Sequence, residues 1–139
     1  MSTVTTDIKI RGYHIDINGH VNNARDLEFI EEGRWVWSEK NMDFVLLKQQ
    51  GILFSVVNIN IDYKRGAYLN EILEIQTSLE SIGQSSGILR QKIVLKGTDK
   101  VVADARVTFV MMDEKSKKPA GLEGELRKSL ESVIGNRNG

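Results

Sequence analysis

Val101-Val102-Ala103-Asp104-Ala105-Arg106-Val107-Thr108-Phe109-Val110-Met111 carries an apolar side chain at every second position, from Val101 through Ala103, Ala105, Val107 and Phe109 to Met111. A period of two held over this length marks a strand with one covered face, and such alternation belongs to antiparallel sheets. Reading backwards, Leu89, Ile93 and Leu95 repeat the pattern, as do Leu73, Ile75, Thr77 and Leu79, and then Val57, Ile59, Ile61 and Tyr63. Gly66, Gly83-Gln84 and Gly97-Thr98-Asp99 fall between the runs as turns. The second half of the chain therefore reads as about four antiparallel strands.

Upstream the period changes. Leu27, Ile30, Val36 or Trp37, Phe44 and Leu47 fall at helical spacing, with Glu28, Glu31, Glu32, Arg34 and Glu39 between them. This predicts one long helix over residues 24–50, started by Asn22 or Asn23 as a cap and closed by Gly51. Residues 5–13 form a first strand with Ile8 and Ile10 on one face, and residues 122–134 a short amphipathic helix through Leu122, Leu126, Leu130 and Val133. The expected fold is α+β, one long helix covering one curved antiparallel sheet. Its edges and far face need cover, which predicts a homodimer or homotetramer.

With 139 residues and no linker-like stretch, residues 1–139 read as a single domain. Nineteen basic and nineteen acidic residues cancel, so nothing in the charge points to nucleic acid or to an anionic membrane surface. The chain has no cysteine, which excludes disulfides and thiolate chemistry, and no apolar run near the ~20 residues that span a bilayer. Its start, Met1-Ser2-Thr3-Val4-Thr5-Thr6-Asp7, lacks the pattern of a secretory signal. A cytoplasmic protein is expected.

Chemistry concentrates in Asp16-Ile17-Asn18-Gly19-His20-Val21-Asn22-Asn23, directly before the long helix. A helix start offers unpaired backbone N–H groups that stabilise a developing oxyanion, and a nearby acid and imidazole complete the parts for attack on a carbonyl. Each residue also has a plainer reading. Asp16 and Asn18 suit a turn, Asn22 and Asn23 suit a cap, and Glu31, Glu32 and Arg34 suit a solvated, ion-paired helix face. Trp35 and Trp37 point to nearly opposite sides of the helix, one to the core and one to a pocket wall or interface. His14 reads as an ordinary strand-end residue, and two histidines without clustered partners predict no metal site.

Strand, long helix and wrapping sheet is the arrangement of the hotdog fold, and the residues extend the resemblance. Asp16-x-x-Gly19-x-Val21, followed by Glu31-Glu32-Gly33-Arg34, resembles the signature of the 4-hydroxybenzoyl-CoA thioesterase-like family. The fuller Asp16-x-Asn18-x-His20-Val21-Asn22-Asn23 and the segment Ile61-Asp62-Tyr63-Lys64-Arg65 resemble the acyl-ACP thioesterases. The resemblance implies hydrolysis of an acyl-CoA or acyl-ACP thioester, with no cofactor and with the site at a subunit interface.

It also implies roles. Asp16 is the nucleophile or the general base, Asn18 and His20 are its polar partners, and the backbone N–H of Asn23 polarises the carbonyl. Ser85, Ser86 and Gly87 fall where related enzymes contact the pantetheine or nucleotide; beside them, Asn22 at the helix start and Arg65, whose charge with that of Lys64 suits CoA phosphates or an acidic carrier protein, are expected to bind substrate. Two departures stand out: Gly66-Ala67 replaces the Glu-Cys pair of the acyl-ACP enzymes, which leaves Asp16 central, and Asp26 stands where the family has an aromatic residue of the acyl pocket. The alternatives are an enoyl-thioester hydratase or dehydratase of the same fold, and a non-catalytic acyl-thioester binder.

Overall fold

The structure is a computed structural model and describes residues 3–134. Its elements follow the expected order: β1 (Val4–Lys9), α1 (Asn23–Asn41), α2 (Phe44–Gln49), β2 (Ile52–Tyr63), β3 (Ile72–Ile82), β4 (Ser86–Leu95), β5 (Val101–Asp113) and α3 (Gly124–Val133). The strands form one five-stranded antiparallel sheet in the order β1-β3-β4-β5-β2. No helix among the described residues is long and apolar enough to cross a membrane.

The alternating runs set the inner face of the sheet. Leu73, Ile75, Thr77 and Leu79 of β3, Leu89, Gln91 and Ile93 of β4, and Ala103, Ala105, Val107, Phe109 and Met111 of β5 are all buried. The outer face is polar and carries cross-strand ion pairs, Arg90 with Asp104 at 2.8 Å and Arg106 with Glu80 at 3.0 Å.

The predicted helix over 24–50 is two helices. The chain leaves the first at Met42, an extended, buried residue, and Asp43 starts the second by accepting a hydrogen bond from the Leu46 N–H at 3.0 Å. A capping residue that is locally more favourable than continued helix breaks the run. Gly51, at φ +82°, closes α2 as expected. The first strand stops at Lys9 rather than Tyr13, because a short 3-10 turn at Gly12–His14 redirects the chain. In β2 a bulge between Val56 and Asn58 leaves Val57 without a β5 partner and 58% exposed, so Val57 drops out of the face shared by Ile59 and Ile61.

α1 lies across the sheet through Asp26, Phe29, Ile30, Gly33, Arg34, Trp37 and Ser38, its buried residues. Leu27, expected on that face, is instead exposed. The seat holds a polar knot. Gln91 donates from Nε2 to the Ile30 carbonyl at 2.8 Å and to Thr77 Oγ1 at 2.9 Å, while its Oε1 accepts from Arg34 at 3.0 Å. Arg34 is therefore buried and bonded, not part of a solvated face. Trp37 is in the core and Trp35 is 42% exposed, as their spacing predicts.

Gly33 sits on this knot. A Cβ there would lie 2.6 Å from Ile75 Cγ2, 2.8 Å from Thr77 Oγ1 and 3.0 Å from Gln91 Nε2. Alanine's better helix propensity returns only about 1 kcal/mol, less than forcing these atoms apart costs. Gly33→Ala is expected to lower stability by about 2 kcal/mol, measured by urea denaturation.

Candidate active site

Asp16 to His20 form a tight loop. The Gly19 N–H donates to the Asp16 carbonyl and the Asp16 N–H to the His20 carbonyl, both at 3.0 Å, and Gly19 takes φ +83°. That positive φ is why a glycine occupies the position. Asp16 Oδ1 accepts from the Asn18 N–H at 2.8 Å, a local turn bond that fixes the half-buried carboxylate at the loop tip. The adjacent Ile17 is 99% exposed.

A bridge and two backbone bonds, one of them part of that bridge, anchor the loop. Ile15 bridges Val21, the Val21 N–H donates to the Ala67 carbonyl at 2.8 Å, and the Asn22 N–H donates to the His14 carbonyl at 2.9 Å. His14 is buried, accepts the Arg11 N–H on Nδ1 at 2.9 Å, and packs its ring edge against Phe29. Burial, with Arg25 and Arg11 nearby, pushes its pKa down, which favours the neutral ring. Asn22 is the cap, its Oδ1 accepting from the Ala24 N–H at 2.8 Å. The backbone N–H of Asn23 is thereby left at the open helix start.

A cavity of about 240 Å³ opens beside this start, lined by His20, Asn23, Asp26, Tyr63, Lys64 and Arg65 among others. His20 Nδ1 lies 3.2 Å from the Val21 carbonyl oxygen, which can only accept, so Nδ1 is the donor in this contact. The Tyr63 hydroxyl donates to the Asn23 carbonyl at 3.4 Å. Arg65 is held by Glu71 through two nitrogen–oxygen contacts of 3.0 and 3.3 Å and lies over the Tyr68 ring.

Of the residues expected from sequence, His20, Asn23 and Arg65 line this cavity and Asn22 caps the helix that forms its wall. Asp16 and Asn18 lie on the loop beside it but do not line it. Ser85, Ser86 and Gly87 are elsewhere. Ser86 pairs with Val110 while Tyr63 pairs with Ala103, seven residue steps back along β5. At about 3.3 Å per residue that is roughly 23 Å along the strand. Within one protomer the predicted site is divided between the two ends of the sheet.

Asp26 is the residue that sequence reasoning left without a site role. It is 4% exposed, lines the cavity, and its Oδ1 has no hydrogen-bond partner among the described residues. Burial raises its pKa to about 7, against a smaller opposing pull from His20. The same burial, reinforced by Asp26, raises that of Tyr63. The signal was legible: Asp26, Ile30, Gly33 and Trp37 recur at four, three and four residues, the spacing of a buried helix stripe.

A second cavity, about 530 Å³, lies between α1, α2 and β2, with Trp35, Phe44 and Phe54 in its wall and Glu31 and Lys48 at its margin. Phe44 stacks on Phe54 at 4.2 Å and Phe54 on Phe109 at 4.5 Å.

A helix laid in a curved antiparallel sheet, with its N-terminus open to an Asp- and His-bearing loop, defines a hotdog-fold thioesterase. Residues 10–130 match the thioesterase-like superfamily, and the chain belongs to that family. It is 50% identical over 129 residues to the long-chain acyl-CoA thioesterase FadM of Escherichia coli (strain K12), covering 93% of this chain and 98% of that one. The crystal structure of the probable thioesterase YbaW from Escherichia coli superposes with a TM-score of 0.84 at 49% identity, over 94% of this chain and 98% of that one. The fold is shared at 9% identity with the 12:0-ACP thioesterase of Umbellularia californica, with a TM-score of 0.85 over 97% of this chain and 51% of that one.

The buried carboxyl has a cost that depends on pH. Between the ordinary carboxyl value of 3.8 and about 7, the native state binds more protons at Asp26 than the unfolded chain does. Stability therefore falls as pH rises through that window and stays lower above it. Asp26→Asn is expected to be more stable than the parent, with an advantage about 2 kcal/mol larger at pH 8 than at pH 5. Urea titrations at the two pH values measure it.

Proposed function

We propose that this protein hydrolyses long-chain acyl-CoA thioesters at the loop and helix start formed by Asp16 to Asn23, as a homodimer joined through β2. The observation that carries the reading is the open N-terminus of α1 beside a cavity and an acidic loop. The chain's likeness to the Escherichia coli long-chain acyl-CoA thioesterase supports the choice of substrate. A cytoplasmic setting belongs to the same reading.

In this mechanism the thioester carbonyl accepts from the Asn23 backbone N–H, and the helix start stabilises the oxyanion. Asp16 either takes a proton from water as hydroxide adds to the carbonyl carbon, or attacks that carbon itself. In the first route the tetrahedral intermediate collapses, the C–S bond breaks, and the thiolate takes the proton back from Asp16. In the second, water hydrolyses the resulting anhydride. Either way the acid and the thiol are released and the carboxylate is restored. Thiolates leave readily, so no strong general acid is required. Asn18 and His20 orient these groups.

The aromatic cavity at Trp35, Phe44 and Phe54, about 530 Å³, is apolar space beside α1 that suits a long acyl tail.

The edges argue for the dimer. β1 has six residues and carries Asp7 and Lys9, whereas β2 has twelve and exposes Val56 and Val57. A long edge with apolar residues is a template for pairing. Antiparallel pairing of two β2 edges brings the Ser85-Ser86-Gly87 end of one protomer toward the His20 end of the other. It also covers the exposed Ile17 loop, and so reunites the divided site.

Asp16→Asn is expected to stay folded and to lose at least about a hundredfold of the thiol release from a long-chain acyl-CoA, followed with a thiol reagent. Release at the parental rate would remove Asp16 from the mechanism. Val57→Asp, which puts a charge in the middle of the β2 edge, is expected to shift the protein to monomer in sedimentation and to abolish turnover with it. A monomeric and fully active variant would overturn the interface reading.

A further inference from the structure

We propose that Asp26 selects the acyl group, making the site favour thioesters with a hydroxyl on the third carbon of the chain over saturated thioesters of equal length. The inference rests on the thioesterase reading above and narrows its substrate.

Three observations lead there. The Asp26 carboxyl is almost wholly buried, lines the cavity at the helix start, and keeps an oxygen without a partner. Buried polar groups are nearly always hydrogen-bonded, so an unpartnered one in a ligand cavity marks where a ligand supplies the bond. Of the neighbouring polar groups Tyr63 is engaged with the Asn23 carbonyl, Arg65 with Glu71 and His20 Nδ1 with the Val21 carbonyl, while Lys64 lines the same cavity without bonding the carboxyl. They neither satisfy Asp26 nor take its place.

Position then identifies the donor. Asp26 follows Asn23 by three residues on α1. Three residues rise about 4.5 Å along a helix, less than one turn, and both residues line the same cavity. With the thioester carbonyl at the Asn23 N–H, the carboxyl faces the first carbons of the acyl chain and not its tail. A saturated chain offers only C–H groups there and leaves the carboxyl unpaired. A hydroxyl on the third carbon donates to the ionised carboxylate, and accepts from the protonated acid as well as donating to it. The bond is available on both sides of the carboxyl's titration.

Sites built around a hydrogen bond to a substrate hydroxyl discriminate strongly against the analogue without it, because the protein group is then left buried and bare. The experiment compares 3-hydroxyacyl-CoA with saturated acyl-CoA of the same chain length, in the parent, Asp26→Asn and Asp26→Leu. The parent is expected to prefer the hydroxyacyl ester by at least about tenfold in kcat/KM. Asp26→Asn, which keeps a hydrogen-bonding amide, retains part of that preference, and Asp26→Leu brings the ratio to about one. The ratio is read within each variant, so a general loss of activity or of folded protein does not imitate the result. Equal rates on both esters in the parent, or a preference that survives in Asp26→Leu, overturns the proposal while the thioesterase reading stands. Hydrolysis of neither ester overturns both.

Discussion

The position of α1 on the sheet depends on one contact, the seating of Gly33 against Ile75, Thr77 and Gln91. No side chain larger than hydrogen fits at that point, so the helix axis lies as close to the sheet as backbone allows. At this distance a strand side chain reaches the helix backbone, and Gln91 bonds the Ile30 carbonyl directly. Arg34 on the helix and Thr77 on β3 complete the knot, which satisfies every polar atom of the Gln91 side chain that is drawn into it. Apolar packing alone tolerates sliding and rotation. A buried hydrogen-bond network fixes both, because misregister leaves polar groups bare.

That constraint reaches the candidate site through the helix itself. Gln91 and Gly33 fix the rotation of α1, which decides that Asp26 faces inward and that the N-terminus meets the cavity. The loop in front is then tied to three other segments, by Val21 to Ala67, by Asn22 to His14, and by Asn22 to the first turn of α1. Each tie uses a backbone group or a short side chain, so little freedom remains between the sheet and the Asn23 N–H. A preorganised donor of this kind needs no rearrangement as charge develops on a carbonyl oxygen.

The strands were legible because a period of two with one covered face has few competing explanations, and Val101 to Met111 shows it without interruption. The helix was legible in existence but not in its orientation or its break. Hydrophobic spacing placed Leu27 on the inner face, whereas the buried stripe carries Asp26, Arg34 and Ser38. Polar residues held by a partner distant in sequence, such as Gln91, cannot be told from solvated ones by periodicity. The break at Met42-Asp43 is a local capping choice within an otherwise continuous pattern. Of the site, the loop motif located the helix start correctly. The placement of Ser85, Ser86 and Gly87 at the other end of the sheet was hidden, since residue spacing does not carry the register of strands distant in sequence.

Asp26 combines these threads. A carboxyl among Ile30, Gly33 and Trp37 on the buried stripe opposes stability at neutral pH, since burial lifts its pKa to about 7 and part of the side chain has no bond to offset desolvation. On the same helix face Arg34 is compensated by Gln91 and Ser38 by the Trp35 carbonyl at 2.7 Å, while Trp37 Nε1, like Asp26 Oδ1, is buried without a partner among the described residues. Of these four residues only Asp26 lines the cavity at the helix start. Where a chain satisfies its buried polar groups in one place and leaves one bare at the mouth of a site, local inconsistency points to chemistry rather than to folding. The missing partner of that carboxyl is then part of the substrate.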